Sequence, residues 1–160
     1  MTRLQDNFNG NEIEPKTLFN IQRKGNHLFA YFEAYDSSLK SYSNKNNDDL
    51  WKLNAVEIFI EINDSDSYLE IEVAPNGATF VASILNRKIT FIDDSFLKAS
   101  VNAKESTYFV EMDIDLSRFN PKKIRYNAFR LEVISGIQIL EALSPTYCDT
   151  FHVKEKFIDL

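Results

Sequence analysis

Asp48-Asp49-Leu50-Trp51-Lys52-Leu53-Asn54-Ala55-Val56-Glu57-Ile58-Phe59-Ile60-Glu61-Ile62, a polar break, and then Tyr68-Leu69-Glu70-Ile71-Glu72-Val73-Ala74-Pro75-Asn76-Gly77 is the stretch whose reading decides the fold. Side chains of an extended chain alternate between two faces. Val56, Ile58, Ile60 and Ile62 therefore share one face and Glu57, Phe59 and Glu61 the other. In the second half Leu69, Ile71 and Val73 oppose Tyr68, Glu70 and Glu72. Pro75-Asn76-Gly77 supplies turn chemistry, because proline presets φ while Asn and Gly tolerate positive values. Two strands follow. Their glutamates are expected on the wet side of an antiparallel sheet. Glu57 is the exception: it lies just beyond the sole tryptophan, at the end of a long polar loop where ligand contacts collect.

Upstream of this pair, residues 1–12 are polar and read as loose. Leu18 to Arg23 forms a first strand, Gly25-Asn26 a tight turn, and His27 to Tyr35 an aromatic-rich second strand. Asp36 to Asp49 is a long polar loop. Downstream, the pattern predicts strands at Ala78–Leu85, Ile89–Ile92, Leu97–Ala103, Tyr108–Ile114, Ile124–Ile134 and Ile137–Leu143. Asp115 to Phe119 suits a short helical turn closed before Pro121. No long segment carries helical periodicity. The expected fold is all-β: one domain over residues 1–160, a two-layer antiparallel β-sandwich, jelly-roll-like, with at most a short helical turn.

The totals exclude several classes. A chain of 160 residues with 44% hydrophobic content, thirteen Phe and seven Tyr is not disordered. No apolar run reaches membrane-spanning length, and net charge is −6 with only short basic clusters, so neither a membrane nor nucleic acid is the expected partner. The start carries no apolar signal core, which points to the cytoplasm, or outside the cell if a leader has been removed. Cys148 is the only cysteine, so neither an internal disulfide nor a thiolate metal cluster can form.

Taken together, the motifs resemble the carbohydrate-binding module family 9-like domains, β-sandwiches related to the sugar- or haem-binding DOMON group. Leu50-Trp51 followed by Asn54-Ala55-Val56-Glu57-Ile58-Phe59 is similar to the family's Leu-Trp…Asp-x-Val-Glu-Ile-Phe signature. Tyr68 to Gly77, Tyr108 to Ile114, Asn127-Ala128-Phe129-Arg130 and the tail Ser144-Pro145-Thr146…Phe151-His152…Glu155-Lys156-Phe157 follow in the family's order, the resemblance spanning residues 27–160. It implies a non-catalytic sugar-binding domain, such as an accessory domain of a glycoside hydrolase system, with carbohydrate as partner. In the sugar-binding prototype two tryptophans clamp a ring. Trp51 matches the first and Glu57 a sugar-contacting glutamate, but Leu143 stands where the second aromatic belongs, Asn54 replaces an aspartate, and Ile158 replaces a glycine.

Sugar recognition uses an aromatic face for the C–H side of a ring and polar groups for its hydroxyls. Trp51 offers the first; Glu57, Asn127 and Arg130 are candidates for the second, and Tyr147 or Tyr42 for the missing clamp partner. Each has a structural alternative: Trp51 as a packed plug, Asn127 as a backbone brace, Arg130 as an ion-pair partner. His152 is expected to pack beside Phe151 in a closing strand. No nucleophile elbow or metal-binding helix surrounds either histidine, and Met112 falls on a core face, which disfavours axial haem ligation. No cofactor is expected. The resemblance allows a weak structural calcium at Asn63–Ser67 or Asp48-Asp49, although the first lacks the glycine and closing glutamate of a calcium loop. The other functional class is a structural or protein-interaction domain that kept the sandwich and lost the sugar.

Overall fold

The computed structural model describes residues 1–36 and 39–160; Ser37 and Ser38, in the loop that begins at Asp36, lie outside the described residues. Its strands are β1 (Thr2–Arg3), β2 (Gln5–Asp6), β3 (Leu18–Lys24), β4 (His27–Tyr35), β5 (Ala55–Ile62), β6 (Tyr68–Val73) and β7 (Thr79–Leu85). There follow β8 (Lys88–Phe91), β9 (Leu97–Lys104), β10 (Thr107–Asp115), β11 (Ile124–Ile134), β12 (Ile137–Ala142) and β13 (Ile158–Asp159). Among the described residues helix is confined to short 3-10 turns at Leu50–Lys52, Ser117–Phe119 and Lys154–Lys156. The predicted strands recur within a residue or two.

A five-stranded sheet runs β1-β3-β4-β10-β9, and an eight-stranded sheet runs β2-β12-β11-β5-β6-β7-β8, with β13 pairing β11. Every pairing among the described residues is antiparallel, and two-residue turns join β3 to β4, β7 to β8, β9 to β10 and β11 to β12. Between β11 and β12, Ser135 and Gly136 take φ of +51° and +80°, the left-handed geometry that suits a two-residue hairpin turn.

The core lies between the sheets. Val56, Ile58, Ile60, Leu69, Ile71 and Val73 meet Phe32, Val110, Met112 and Ile114 from the opposite layer. Val110 rather than Phe109 is buried, as its register opposite Phe32 requires.

Two expectations are overturned. The amino-terminal residues are not loose: β1 and β2 bind one to each sheet, Leu4 between them is fully buried, and the Asn7 side chain holds Thr146 and the Cys148 carbonyl. Nor is the outer face of the eight-stranded sheet wet. Glu57, Glu61, Glu70 and Glu72 are all at most 5% exposed. The closing residues fold back across that face and form a second apolar layer, in which Phe59, Phe80, Phe129 and Leu131 pack with Phe151 and Phe157. The Phe129 and Phe151 rings stack 4.2 Å apart. Covered on both faces, β5 and β6 hold their glutamates largely out of water.

Candidate functional site

The 3-10 turn Leu50–Lys52 sits at the mouth of this second layer. Leu50 is buried beneath it, and the Trp51 ring meets the edge of Phe80 at 5.5 Å. Trp51 is half-buried, with one part packed and another open to a cavity of about 270 Å³. Glu57, Phe59 and Glu70 form the floor of the cavity, Leu131, Gln138 and Leu140 one side, and Asp149 to His152 the far wall.

Register explains the floor. Glu57 pairs directly with Glu72 across β5 and β6, and Phe59 pairs with Glu70, so three carboxyls and an aromatic ring share one patch of sheet. Burial drives the Glu57 carboxyl well above its ordinary range, and the neighbouring charge of Glu70 adds to the effect. Burial pushes Glu70 up to about 7. Glu72 is raised chiefly by burial, then by Glu57 and Glu70. A hydrogen bond between Glu70 and Glu72 requires one of the two to hold a proton. Apart from that Glu70–Glu72 contact, no N–H or O–H donor among the described residues meets Glu57 Oε1, Glu70 Oε2 or either Glu72 oxygen. Buried oxygens in this condition are costly.

His152 closes the site from the tail. Its ring stacks on Phe59 at 5.2 Å, and its Nδ1 lies 2.6 Å from the Tyr68 hydroxyl. Burial lowers the imidazole pKa and raises that of the phenol. Both are neutral at pH 7, and the contact fits either tautomer, the phenol donating to a bare Nδ1 or Nδ1–H donating to the phenol oxygen.

The structure brings Trp51 and Glu57 together and places the other sequence candidates elsewhere. Asn127 Nδ2 donates to the Ser144 carbonyl at 2.8 Å, and its Oδ1 accepts from the Ser144 and Ala128 N–H groups, so its amide braces the loop after β12. Arg130 points to the other face of β11. Fully buried, it donates to the Tyr35 and Leu131 carbonyls, lies 3.6 Å from Glu132 and covers the Tyr108 ring. Tyr147 is exposed, its ring beneath Lys156 and against Gly10. Tyr42 is also exposed and lies under Lys52. Leu143 packs against the inter-sheet core. Asn54 ties Asp36 and the Lys40 carbonyl to the Val133 N–H.

Sequence reasoning missed Glu70, assigned to solvent, and His152, assigned to a closing strand; Phe59, Gln138, Asp149 and Thr150 were not considered. The available signal was Glu70 at the same alternation as Glu57, one strand over.

The residues named for a structural calcium make other contacts. At Asn63–Ser67, Asn63 Oδ1 accepts the Lys122 and Lys123 N–H groups, Asp64 pairs with Lys123, and the Lys154 ammonium already sits on the Ser65 and Asp66 carbonyls. Asp49 pairs with Lys52, and Asp48 accepts the Asp49 N–H. A larger concavity of about 470 Å³ lies on the outer face of the five-stranded sheet beside Phe29 and Tyr31. None of its lining residues carries a buried polar atom lacking a partner.

The sequence profile of carbohydrate-binding family 9 matches residues 5–112, more than half of the chain. The chain belongs to that family. The match takes in the amino-terminal strands that the motif reading left out. A Bacteroides uniformis protein provisionally described as carbohydrate-binding has the same fold, with a TM-score of 0.81 at 17% identity over 99% of this chain and 84% of that one. A family 9 module from Caldicellulosiruptor kristjanssonii in complex with glucose superposes with a TM-score of 0.71 at 15% identity, covering 98% of this chain and 81% of that one. Among curated sequences, the rat UPF0462 protein C4orf33 homolog is 29% identical over 97 residues, 61% of this chain and 49% of that protein. An extracellular protein of Arthroderma benhamiae is 37% identical over 76 residues, 45% of this chain and 34% of that protein. The chain thus spans half or less of the curated relatives it matches.

Proposed function

We propose that this chain is a non-catalytic carbohydrate-binding domain whose site is the cavity between Trp51 and the His152 wall. One observation carries the reading: an aromatic face and buried carboxyl oxygens without donors converge on a single cavity. Sugar hydroxyls are the donors those oxygens lack, and the C–H face of a pyranose suits the exposed part of the indole. The cavity, about 270 Å³, is at the small end of ligand sites and suits a monosaccharide or a chain end. Glu57, Glu70 and Glu72 lie side by side on one sheet face. Glycoside hydrolysis instead uses two carboxyls flanking the scissile bond. With the family membership, this arrangement favours binding over cleavage.

The test is calorimetric titration with glucose, xylose, cellobiose and cellotriose, alongside Trp51 fluorescence. Saturable binding that Trp51→Ala weakens at least about tenfold is expected. If a broad glycan screen finds no ligand, the reading fails and the alternative of an interaction domain replaces it. A sugar bound equally by wild type and Trp51→Ala places the site elsewhere.

A further inference from the structure

The cavity is rich in acceptors and poor in cations. Glu57, Glu70 and Asp149 line it, and Glu72 adjoins through its hydrogen bond to Glu70. No lysine or arginine is among the lining residues. Beyond them, Lys52 is engaged by Asp49, and Arg87 on the turn after β7 is near enough to His152 to help lower its pKa. Besides the O–H of any protonated glutamate, the donors at the wall are few: the Trp51 N–H, the Gln138 amide, the Thr150 hydroxyl and the His152 ring N–H.

A neutral sugar hydroxyl donates one proton and also needs donors for its own oxygen. An ammonium group brings three donors and a full positive charge and asks for none in return. Glu57 and Glu70 are each at least 95% buried and each has an oxygen without a donor. A charge-assisted bond to such an oxygen is about twice as strong as a neutral one, and an aromatic face beside it adds cation–π attraction.

We infer that the site selects a sugar carrying a free amine, with Glu57 and Glu70 as the carboxylates that receive the ammonium and Trp51 as the ring platform. This rests on the proposed sugar-binding reading and goes further by naming the ligand class. An anionic sugar brings no partner for these carboxyls and would meet repulsion wherever they are ionised. Binding of the ammonium stabilises ionised carboxylates, so it displaces protons from the glutamates; uptake of an amino sugar near pH 6.5 releases protons to solution.

The experiment compares glucosamine, glucose, N-acetylglucosamine, glucuronate and ethanolamine by calorimetry at pH 6.5, each in two buffers of different ionisation enthalpy. Expected is glucosamine about tenfold or more tighter than glucose and N-acetylglucosamine, with proton release for glucosamine alone and no uptake of glucuronate. Glu57→Gln and Glu70→Gln should each bring the glucosamine-to-glucose affinity ratio toward one, a readout that a purely structural role would not move. If glucose or N-acetylglucosamine binds as well as glucosamine, the inference is overturned while sugar binding stands. Ethanolamine binding as tightly as glucosamine also overturns it, since the ring would then contribute nothing. If none of the sugars binds, the inference and the proposed function fall together.

Discussion

Glu70→Gln tests how burial of this carboxyl, coupled to Glu57 and Glu72, sets the pH dependence of stability. In the native protein burial lifts the Glu70 pKa from 4.5 to about 7. At roughly 1.4 kcal/mol for each tenfold change in proton affinity, that rise corresponds to about 3 kcal/mol, an order-of-magnitude figure for a group at most 5% exposed. A carboxyl whose pKa is higher folded than unfolded binds an extra proton in the native state between those two values. Stability therefore falls as pH rises through that window and stays low above it. Glutamine copies the shape of the protonated acid without titrating. At pH 4.5 the variant and wild type should be similar in stability. By pH 8 the variant should be the more stable by about 3 kcal/mol, near 1.5 M in urea midpoint for a typical slope. Urea unfolding followed by Trp51 fluorescence at pH 4.5, 6, 7 and 8 reads this difference directly. His152, buried and with a lowered pKa, acts in the opposite sense but is common to both proteins and cancels. A variant that is equally destabilised at every pH would refute the reasoning, since Glu70 would then be ionised and satisfied in the native state.

Other outcomes follow from the same geometry. Ile58→Ala, at a fully buried position between the sheets, should cost about 2–5 kcal/mol in denaturant unfolding. A loss below about half a kilocalorie would mean that the site is not packed. Asn127→Ala should destabilise by about 1–3 kcal/mol because the Ser144 backbone loses its partners. Affinity for any bound sugar should stay within about twofold, and a selective loss of affinity would make Asn127 a ligand contact. Tyr147→Ala, on the exposed surface, should change neither affinity nor stability measurably in the same assays.

The strands were legible because period-two alternation is a local property. Val56 to Ile62 and Leu69 to Val73 announce their core face without reference to anything else in the chain. What covers the other face is not local. Phe151 and His152 reach Phe129 and Phe59 across 22 and 93 residues of sequence, and nothing near Glu57 or Glu70 reports their arrival. One clue was present: Phe80-Val81-Ala82 and Ala128-Phe129 interrupt the alternation with apolar residues on both faces, the pattern of a strand buried on two sides. Trp51 and Glu57 stand out in the sequence through the order of motifs, and the structure places both at one cavity. Asn127 and Arg130 belong to a motif as well, but the motif cannot say whether its polar atoms face a ligand or the backbone. Here the register sends Arg130 to the inter-sheet side and Ser144 claims the amide of Asn127. Leu4 and Asn7 escaped notice because two-residue strands are too short to show a period.

The far wall of the cavity belongs to a segment that holds no sheet position from Asp149 to Phe157 and is kept in place by ring contacts on Phe59, Tyr68 and Phe129. If the cavity takes a ligand as proposed, local opening of that segment, which costs less than global unfolding, is coupled to binding. The measured dissociation constant is then the intrinsic one divided by the docked fraction. Loosening the Phe129–Phe151 stack at its Phe129 side, which lies outside the cavity lining, weakens the hold on a ligand while the sandwich beneath stays folded. Occupancy in turn fastens the tail, so protection of the 149–157 amides from hydrogen exchange rises with ligand concentration and reports on binding from outside the cavity.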